Sequence, residues 1–319
     1  MTEKTILQSK IKAAFAGQTL LDYVSGRFRY QSRDQWENRI VSGDLTLNGE
    51  KTTAQTQLQT GDLLAYAVVL NEPEVDTHIQ FLHEEEGFLV AVKPGWLPSH
   101  ADGNFIKNTF IHLVQKELKE KGWGGKAHLA HRLDRETSGL MVVAKTKNAL
   151  RHLTRQFENG LVRKQYQAIV QGLVEKDSFE IGGAIGPDPH SQISMRRAVT
   201  PLDTPGAQSA STQFKVLRRL AQNTLVLCQP QTGRTGQIRV HLASIGHPLV
   251  NDKLYGRTDE QFLEFVRDSK AGLLQKDPGK RPRHLLHASR LEFSHPVTGK
   301  AVIFESELPK DMKSFLEPE

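Results

Sequence analysis

The chain has 319 residues, enough for two domains, and its 38% hydrophobic and 24% charged content excludes a disordered or fibrous protein. The single cysteine, Cys228, excludes an internal disulfide and a cysteine-built zinc cluster, and the absence of a long apolar run argues against a membrane helix, which needs roughly 20 such residues. Lysine and arginine number 42 against 36 acidic residues, a net charge of +6 that favours a polyanionic partner such as nucleic acid.

The opening MTEKTILQSK lacks the apolar core of a secretory signal, so a cytoplasmic protein is expected. Leu20, Leu21 and Val24 recur at helical spacing, and Trp36, Ile40 and Val41 form a second periodic set. Alternation at Leu45-Thr46-Leu47 followed by Asn48-Gly49 predicts a hairpin. Gly61-Asp62 predicts a turn before a strand over 63–69. The acidic stretch from Glu72 to Glu86, with Pro73 inside it, reads as a linker. The expected domains are therefore 1–72, a linker at 73–86, and 87–319.

Beyond the linker, strands are expected at 88–92, 140–144, 166–170, 214–220 and 225–229. Helices are expected at 108–121, 147–160 and 237–245, the first and last stopped by glycine and the second by Asn-Gly. The polar segment 257–283 reads as an insertion with a helix around 260–266. Short strands at 291–293 and 301–304 flank turn-forming His295-Pro296 and Thr298-Gly299. Many short strands among few long helices predict an α+β protein. It would pair a small N-terminal α/β module with a domain built on a largely antiparallel mixed sheet.

Neither GxGxxG nor GxxxxGK[ST] is present, and the histidines show no HExxH, so no nucleotide cofactor and no metal are expected. The densest chemical string is His131-Arg132-Leu133-Asp134-Arg135-Glu136-Thr137-Ser138-Gly139. It places a carboxylate between two arginines, immediately before an apolar strand. Neighbouring cations favour an ionised carboxylate, and loops mounted on strands often carry catalytic groups. The same residues also read as a turn aspartate beside surface arginines. A second string, Thr232-Gly233-Arg234-Thr235-Gly236-Gln237-Ile238-Arg239, opens a helix. Its amides suit an anion, or Arg239 reaches a carboxylate, or the loop is only solvated.

Together these strings resemble the pseudouridine synthases of the RluA type. HRLDRETSGLMVVAKT over 131–146, KQYQAIVQG over 164–172 and TGRTGQIRVHLASIGHPLVNDKLYG over 232–256 are similar to three successive family motifs. Lys93-Pro94 through His100 and Leu286-His287-Ala288 with His295-Pro296 resemble the flanking ones. Two departures stand out: the family commonly has histidine where this chain has Gly236, and glycine where it has Trp96. The resemblance implies catalytic roles for Asp134, Tyr166 and Arg239, with Arg239 as the ion-pair partner of Asp134. It implies substrate contacts at His131, Arg132, Thr137, Ile238 and Leu286, with Arg132 entering the space left by a flipped nucleotide.

Residues 20–24, 40–43, 45–49 and 61–62 resemble an S-four-type RNA-binding module. Arg27, Arg29 and Arg33, with Phe28 and Tyr30 interleaved, are expected at RNA, the alternative being a solvated basic face with a core aromatic; Lys164 and Arg234 are also expected at RNA. The Arg196-Arg197 and Arg218-Arg219 pairs read equally as phosphate contacts or as plain surface pairs. The expected activity is isomerisation of uridine to pseudouridine in structured RNA by a monomeric enzyme. Ribosomal RNA is the first expectation and transfer RNA the second. A catalytically retired RNA-binding or ribosome-assembly factor, and a nucleoside hydrolase, are the alternatives.

Overall fold

The structure is a computed structural model that describes residues 4–28, 31–69, 72–102, 105–270 and 282–317. The chain separates into two compact units, Met1–Pro73 with Asp102–Ile106, and Glu74–Ala101 with Lys107–Glu319.

In the first unit, strand β1 (Lys4–Lys10) precedes helices α1 (Leu20–Arg27) and α2 (Arg33–Ser42). Strands β2 (Leu45–Leu47), β3 (Glu50–Lys51) and β4 (Leu63–Val69) complete an antiparallel sheet in the order β1-β4-β2-β3. Thr19 caps α1, and Ser32 with Gln35 forms a reciprocal capping box on α2. Asn48 and Gly49 have φ of 55° and 86°, the paired left-handed residues of a tight hairpin. Leu20, Val24, Trp36, Ile40, Leu45 and Leu64 form the core. Val41, grouped with Trp36 and Ile40 by sequence, is 80% exposed, because one helical step turns it off the buried stripe.

The second unit opens with β5 (Gln80–Glu84) and β6 (Phe88–Lys93), so the end of the acidic segment expected as linker is an edge strand. Its charges suit a sheet edge, which made it read as solvated chain. Helix α3 (Phe110–Glu120), strands β7 (His128–Leu129) and β8 (Ser138–Ala144), and helix α4 (Lys147–Glu158) follow. Strand β9 (Arg163–Gln171) leads into β10 (Ser178–Pro187) and β11 (Arg197–Thr200). The glycines of β10 gave it no strand signature in the sequence, and sheet pairing decides its conformation. Then come β12 (Gln208–Arg219), β13 (Asn223–Pro230), α5 (Gln237–Ser244) and α6 (Asp259–Lys270). Strands β14 (Leu286–Ser294) and β15 (Ala301–Glu305) and helix α7 (Lys310–Leu316) end the unit.

Among the described residues one sheet of 11 strands runs β11-β10-β12-β13-β9-β14-β8-β6-β5, with β15 on β14 and β7 on β8. Its pairings are antiparallel except β14 with β8, so the expected mixed and largely antiparallel sheet is present. The apolar runs FLVAV and LMVVA lack alternation because both faces are covered. Phe88, Val90, Leu140 and Val142 meet Leu153 of α4, while Leu89, Ala91, Met141 and Val143 meet Phe110, Val114 and Leu118 of α3. No helix among the described residues is long and apolar enough to cross a membrane.

The parallel β8–β14 junction depends on Gly139. Its φ is 119°, and a Cβ there would lie 2.3 Å from the Ala288 carbonyl oxygen. Gly139→Ala is expected to cost about 2–4 kcal/mol through strain and overlap. Urea unfolding of the second unit would show this as a lower midpoint.

Burial also keeps four histidines neutral. It lowers His131 to about 3 and His241 and His287 to about 4, and holds His284 well below its ordinary value. In the unfolded chain these rings take up protons below about pH 6.5, and in the fold they do not. Stability is therefore expected to be flat from pH 8 to 7. It should then fall between pH 6.5 and 5 by about 1.4 kcal/mol per pH unit for each such histidine. Urea titrations at pH 8, 7, 6 and 5 check this. An unfolding free energy unchanged down to pH 5 would mean that the rings are charged in the fold.

Candidate active site

The loop between β7 and β8 carries Asp134. A turn closes beneath it, with the Thr137 amide donating to the Asp134 carbonyl at 3.1 Å. The residues on either side are held from the segment after β6. Ser99 Oγ donates to the Leu133 carbonyl at 2.7 Å and accepts from the Leu133 amide at 3.1 Å. Lys93 Nζ reaches the carbonyls of Pro94 and Leu97, both at 2.8 Å, and of Arg135 at 3.2 Å. Burial lowers the Lys93 pKa well below its ordinary value, and the Arg283 charge adds to that. Three carbonyl acceptors nevertheless match the three N–H donors that only the ammonium form supplies.

Arg239 stands on α5, whose N-terminus is shaped by Gly236 and Gln237. Gly236 has φ of 66°, a left-handed cap, so the departure from histidine lies at a backbone position that suits glycine. Buried Gln237 accepts from Thr232 Oγ1 at 2.7 Å and from the Arg234 amide at 3.0 Å. It donates to the Ser211 carbonyl and to Thr212 Oγ1, both at 2.9 Å. This side chain fixes the whole TGRTGQ turn.

The guanidinium of Arg239 joins two carboxylates. Nη1 donates to Asp134 Oδ2 at 2.9 Å. Nε and Nη2 donate to Asp252 Oδ2 at 2.8 Å and Oδ1 at 2.9 Å. The Asp252 side chain is fully buried, and Arg239 and Asp134 are 15% and 29% exposed. Burial alone would raise the Asp252 pKa, but the hydrogen bonds and charge of Arg239 more than offset it, and the carboxyl stays well below the carboxylate range. Asp252 also accepts from the Leu254 and Tyr255 amides, each at 2.9 Å. The Arg239 guanidinium lies 5.0 Å from the centre of the Tyr255 ring. Among the described residues the Asp134 carboxylate is thus tied by one bond, whereas that of Asp252 is tied by four.

Tyr166 comes to the same place through sheet register. Ala288 of β14 pairs with Gly139 of β8 on one side and with Tyr166 of β9 on the other. The half-buried phenol is kept protonated first by burial and then by the Asp134 charge, both of which raise its pKa. Its hydroxyl makes no hydrogen bond among the described residues.

These groups line a cleft of about 580 Å³. Asp134, Tyr166, Arg239, His131, Arg132, Thr137, Lys164, Arg234, Ile238 and Leu286 all border it, so the expected catalytic and substrate-contact residues are brought together with Lys164 and Arg234. Their availability differs. Arg132 is exposed at the rim. Lys164 donates to the Thr232 carbonyl at 3.2 Å and Arg234 to the Ser209 carbonyl at 3.0 Å. Ile238 and Leu286 provide the apolar wall.

His131 and Thr137 are already engaged. His131 Nε2 accepts from the Val142 amide at 3.0 Å, and its ring stacks on Phe157 with centres 4.3 Å apart. Thr137 Oγ1 lies 2.8 Å from His284 Nε2. Both residues border the cleft, and both hydrogen bonds shape the loop.

The other residues expected at RNA differ in how far the fold engages them. Arg196 is closed on Asp259 at 2.8 Å and Asp188 at 3.5 Å. Arg219 is closed on Asp177 at 2.7 Å, and Arg197 donates to the Ser194 carbonyl at 3.3 Å. Arg218 is exposed. In the first unit Arg33 pairs with Asp22 at 2.7 Å, and exposed Arg27 lies 5.4 Å from the Phe15 ring centre. Phe28, expected to stack on a base, packs against Tyr23, Trp36 and Tyr66. Arg29 and Tyr30 lie outside the described residues. The sequence missed Gln237 and Asp252. The signal for Asp252 was available, since it is the only carboxylate in the run 232–256.

The chain is similar to known proteins in sequence and fold. Residues 87–244 match the RNA pseudouridylate synthase family. Over 291 residues the chain is 33% identical to the ribosomal large subunit pseudouridine synthase D of Neisseria meningitidis, covering 89% of this chain and 74% of the relative. It is 33% identical over 298 residues to the uncharacterized RNA pseudouridine synthase YlyB of Bacillus subtilis, covering 90% and 89%. The solved structure of human RNA Pseudouridylate Synthase Domain Containing 4 superposes with a TM-score of 0.57 at 27% identity, over 73% of this chain and 90% of that one. A carboxylate held by a buried guanidinium beside a tyrosine, on this sheet and within these sequence matches, leads to one assignment: the chain belongs to the RNA pseudouridine synthase family.

Proposed function

We propose that Asp134 is the reacting carboxylate of a uridine-to-pseudouridine isomerase acting on ribosomal RNA. The observation that carries the site assignment is the 2.9 Å bond from buried Arg239 to Asp134 in a cleft bordered by Tyr166. The reaction breaks the bond from uracil N1 to ribose C1′ and joins C1′ to C5 instead. N1 gains a proton and C5 loses one, so atoms and oxidation state balance. One ionised carboxylate serves either covalent attack on carbon or removal of a sugar proton. Asp134 keeps Oδ1 free of hydrogen bonds among the described residues, which suits either role. Tyr166 offers a flat ring to the pyrimidine and a hydroxyl near C5.

The reacting atoms of a uridine stacked in a duplex are out of reach, so in this proposal the nucleotide is flipped into the cleft. Exposed Arg132, two residues before Asp134, fills the vacated stack in this reading. Lys164 and Arg234 border the cleft and meet phosphates near the target. The choice of ribosomal RNA follows relatives that carry that name, at 33–36% identity. The first unit acts as an S-four-type RNA-binding module, and the enzyme works as a cytoplasmic monomer.

Asp134→Asn is expected to abolish tritium release from RNA labelled at uridine C5 while RNA affinity changes less than about threefold. Normal tritium release by this variant would overturn the assignment. Deletion of the protein from cells is expected to remove pseudouridine from ribosomal RNA and not from transfer RNA. Mapping both pools decides the RNA class, and loss confined to transfer RNA would refute the ribosomal choice.

A further inference from the structure

Trp96 has a backbone that a large side chain rarely adopts, with φ of 60°. Its half-buried ring is shared by two cations. The Arg135 guanidinium lies 5.1 Å from the ring centre and Lys253 Nζ lies 4.9 Å from it. Arg135 follows Asp134 in the chain, and Lys253 follows Asp252. Those two aspartates are the ones that Arg239 joins. Lys253 further binds Glu136 at 2.7 Å, two residues after Asp134. The two segments are therefore tied three times, by Arg239 through the carboxylates, by the Lys253–Glu136 pair, and by Trp96 through the cations on its ring.

We propose that Trp96 is a positioning residue for isomerisation, holding the Asp134 loop against the Asp252 turn by attracting Arg135 and Lys253 to one ring. This role rests on Asp134 being the reacting carboxylate. A cation near an aromatic face is attracted by the negative potential of the ring, and the attraction strengthens where water is partly excluded. Leucine keeps apolar bulk but has no such face. Phenylalanine keeps the face. Glycine suits the left-handed backbone and removes the side chain altogether.

The test is a single-turnover rate at saturating C5-tritiated RNA, with the RNA dissociation constant measured beside it. Trp96→Leu is expected to slow the chemical step about tenfold while affinity changes less than about twofold. Trp96→Phe should recover the rate to within about threefold of wild type. Trp96→Gly should be slowed like the leucine variant, and it supplies the answer if the leucine variant does not fold. Overturning results are a wild-type rate in Trp96→Leu or Trp96→Gly, equal impairment of the leucine and phenylalanine variants, or a loss that appears only in affinity. Asp134→Asn separates the two assignments. If it is active, the carboxylate assignment fails. If it is inactive and Trp96→Leu is fully active, only the role of Trp96 fails.

Discussion

A single buried guanidinium shared unequally between two aspartates is the constraint on which the site depends. Asp252 has no exposure and takes two of the Arg239 bonds, whereas Asp134 takes one and is partly open. The inner pair compensates the burial of Arg239. Removing either member of such a pair typically costs about 3–5 kcal/mol, because a charge is left buried without a partner. The outer aspartate gains a fixed cation without being fully enclosed by it. Three charges summing to −1 thus place the surplus negative charge on the group nearest the cleft. A symmetric arrangement would have left both carboxylates equally neutralised.

The sheet supplies this geometry from distant parts of the chain. Asp134 and Arg239 are 105 residues apart in sequence, and Asp134 enters from the β7–β8 loop while Arg239 enters from α5. Tyr166 arrives from β9, two strands away from β8 across β14. The rows at Gly139, Ala288 and Tyr166 stay level because β14 runs parallel to β8 and antiparallel to β9. The absent side chain at Gly139 allows the first of these pairings, so a backbone detail sets the position of the chemistry.

Much of this was legible in the sequence, for local reasons. Doubly covered strands such as 88–92 and 140–144 announced themselves by unbroken apolar runs, and the helices by their caps and stops. Asp134, Tyr166 and Arg239 stood in strings specific enough to name together. What escaped notice depends on partners far along the chain. Arg196 looked available until Asp259, 63 residues later, closed on it. Arg219 pairs on the surface with Asp177, 42 residues earlier. Asp252 stood out only as the one carboxylate of the run 232–256, and its role becomes plain once Arg239 lies against it. His131 was expected to touch substrate, yet its ring nitrogen is used by the Val142 amide of the neighbouring strand.

The hold on Leu133 and Arg135 has a consequence for how Asp134 moves. Ser99 grips both backbone polar groups of the preceding residue, and Lys93 grips the carbonyl of the following one. With the main chain pinned on both sides, the aspartate retains mainly its two side-chain torsions. The carboxylate can rotate away from the guanidinium into the cleft without any loop displacement. Its travel is thereby reduced to small rotations around a fixed pivot, a pre-organisation set by the hydrogen bonds of Ser99 and Lys93.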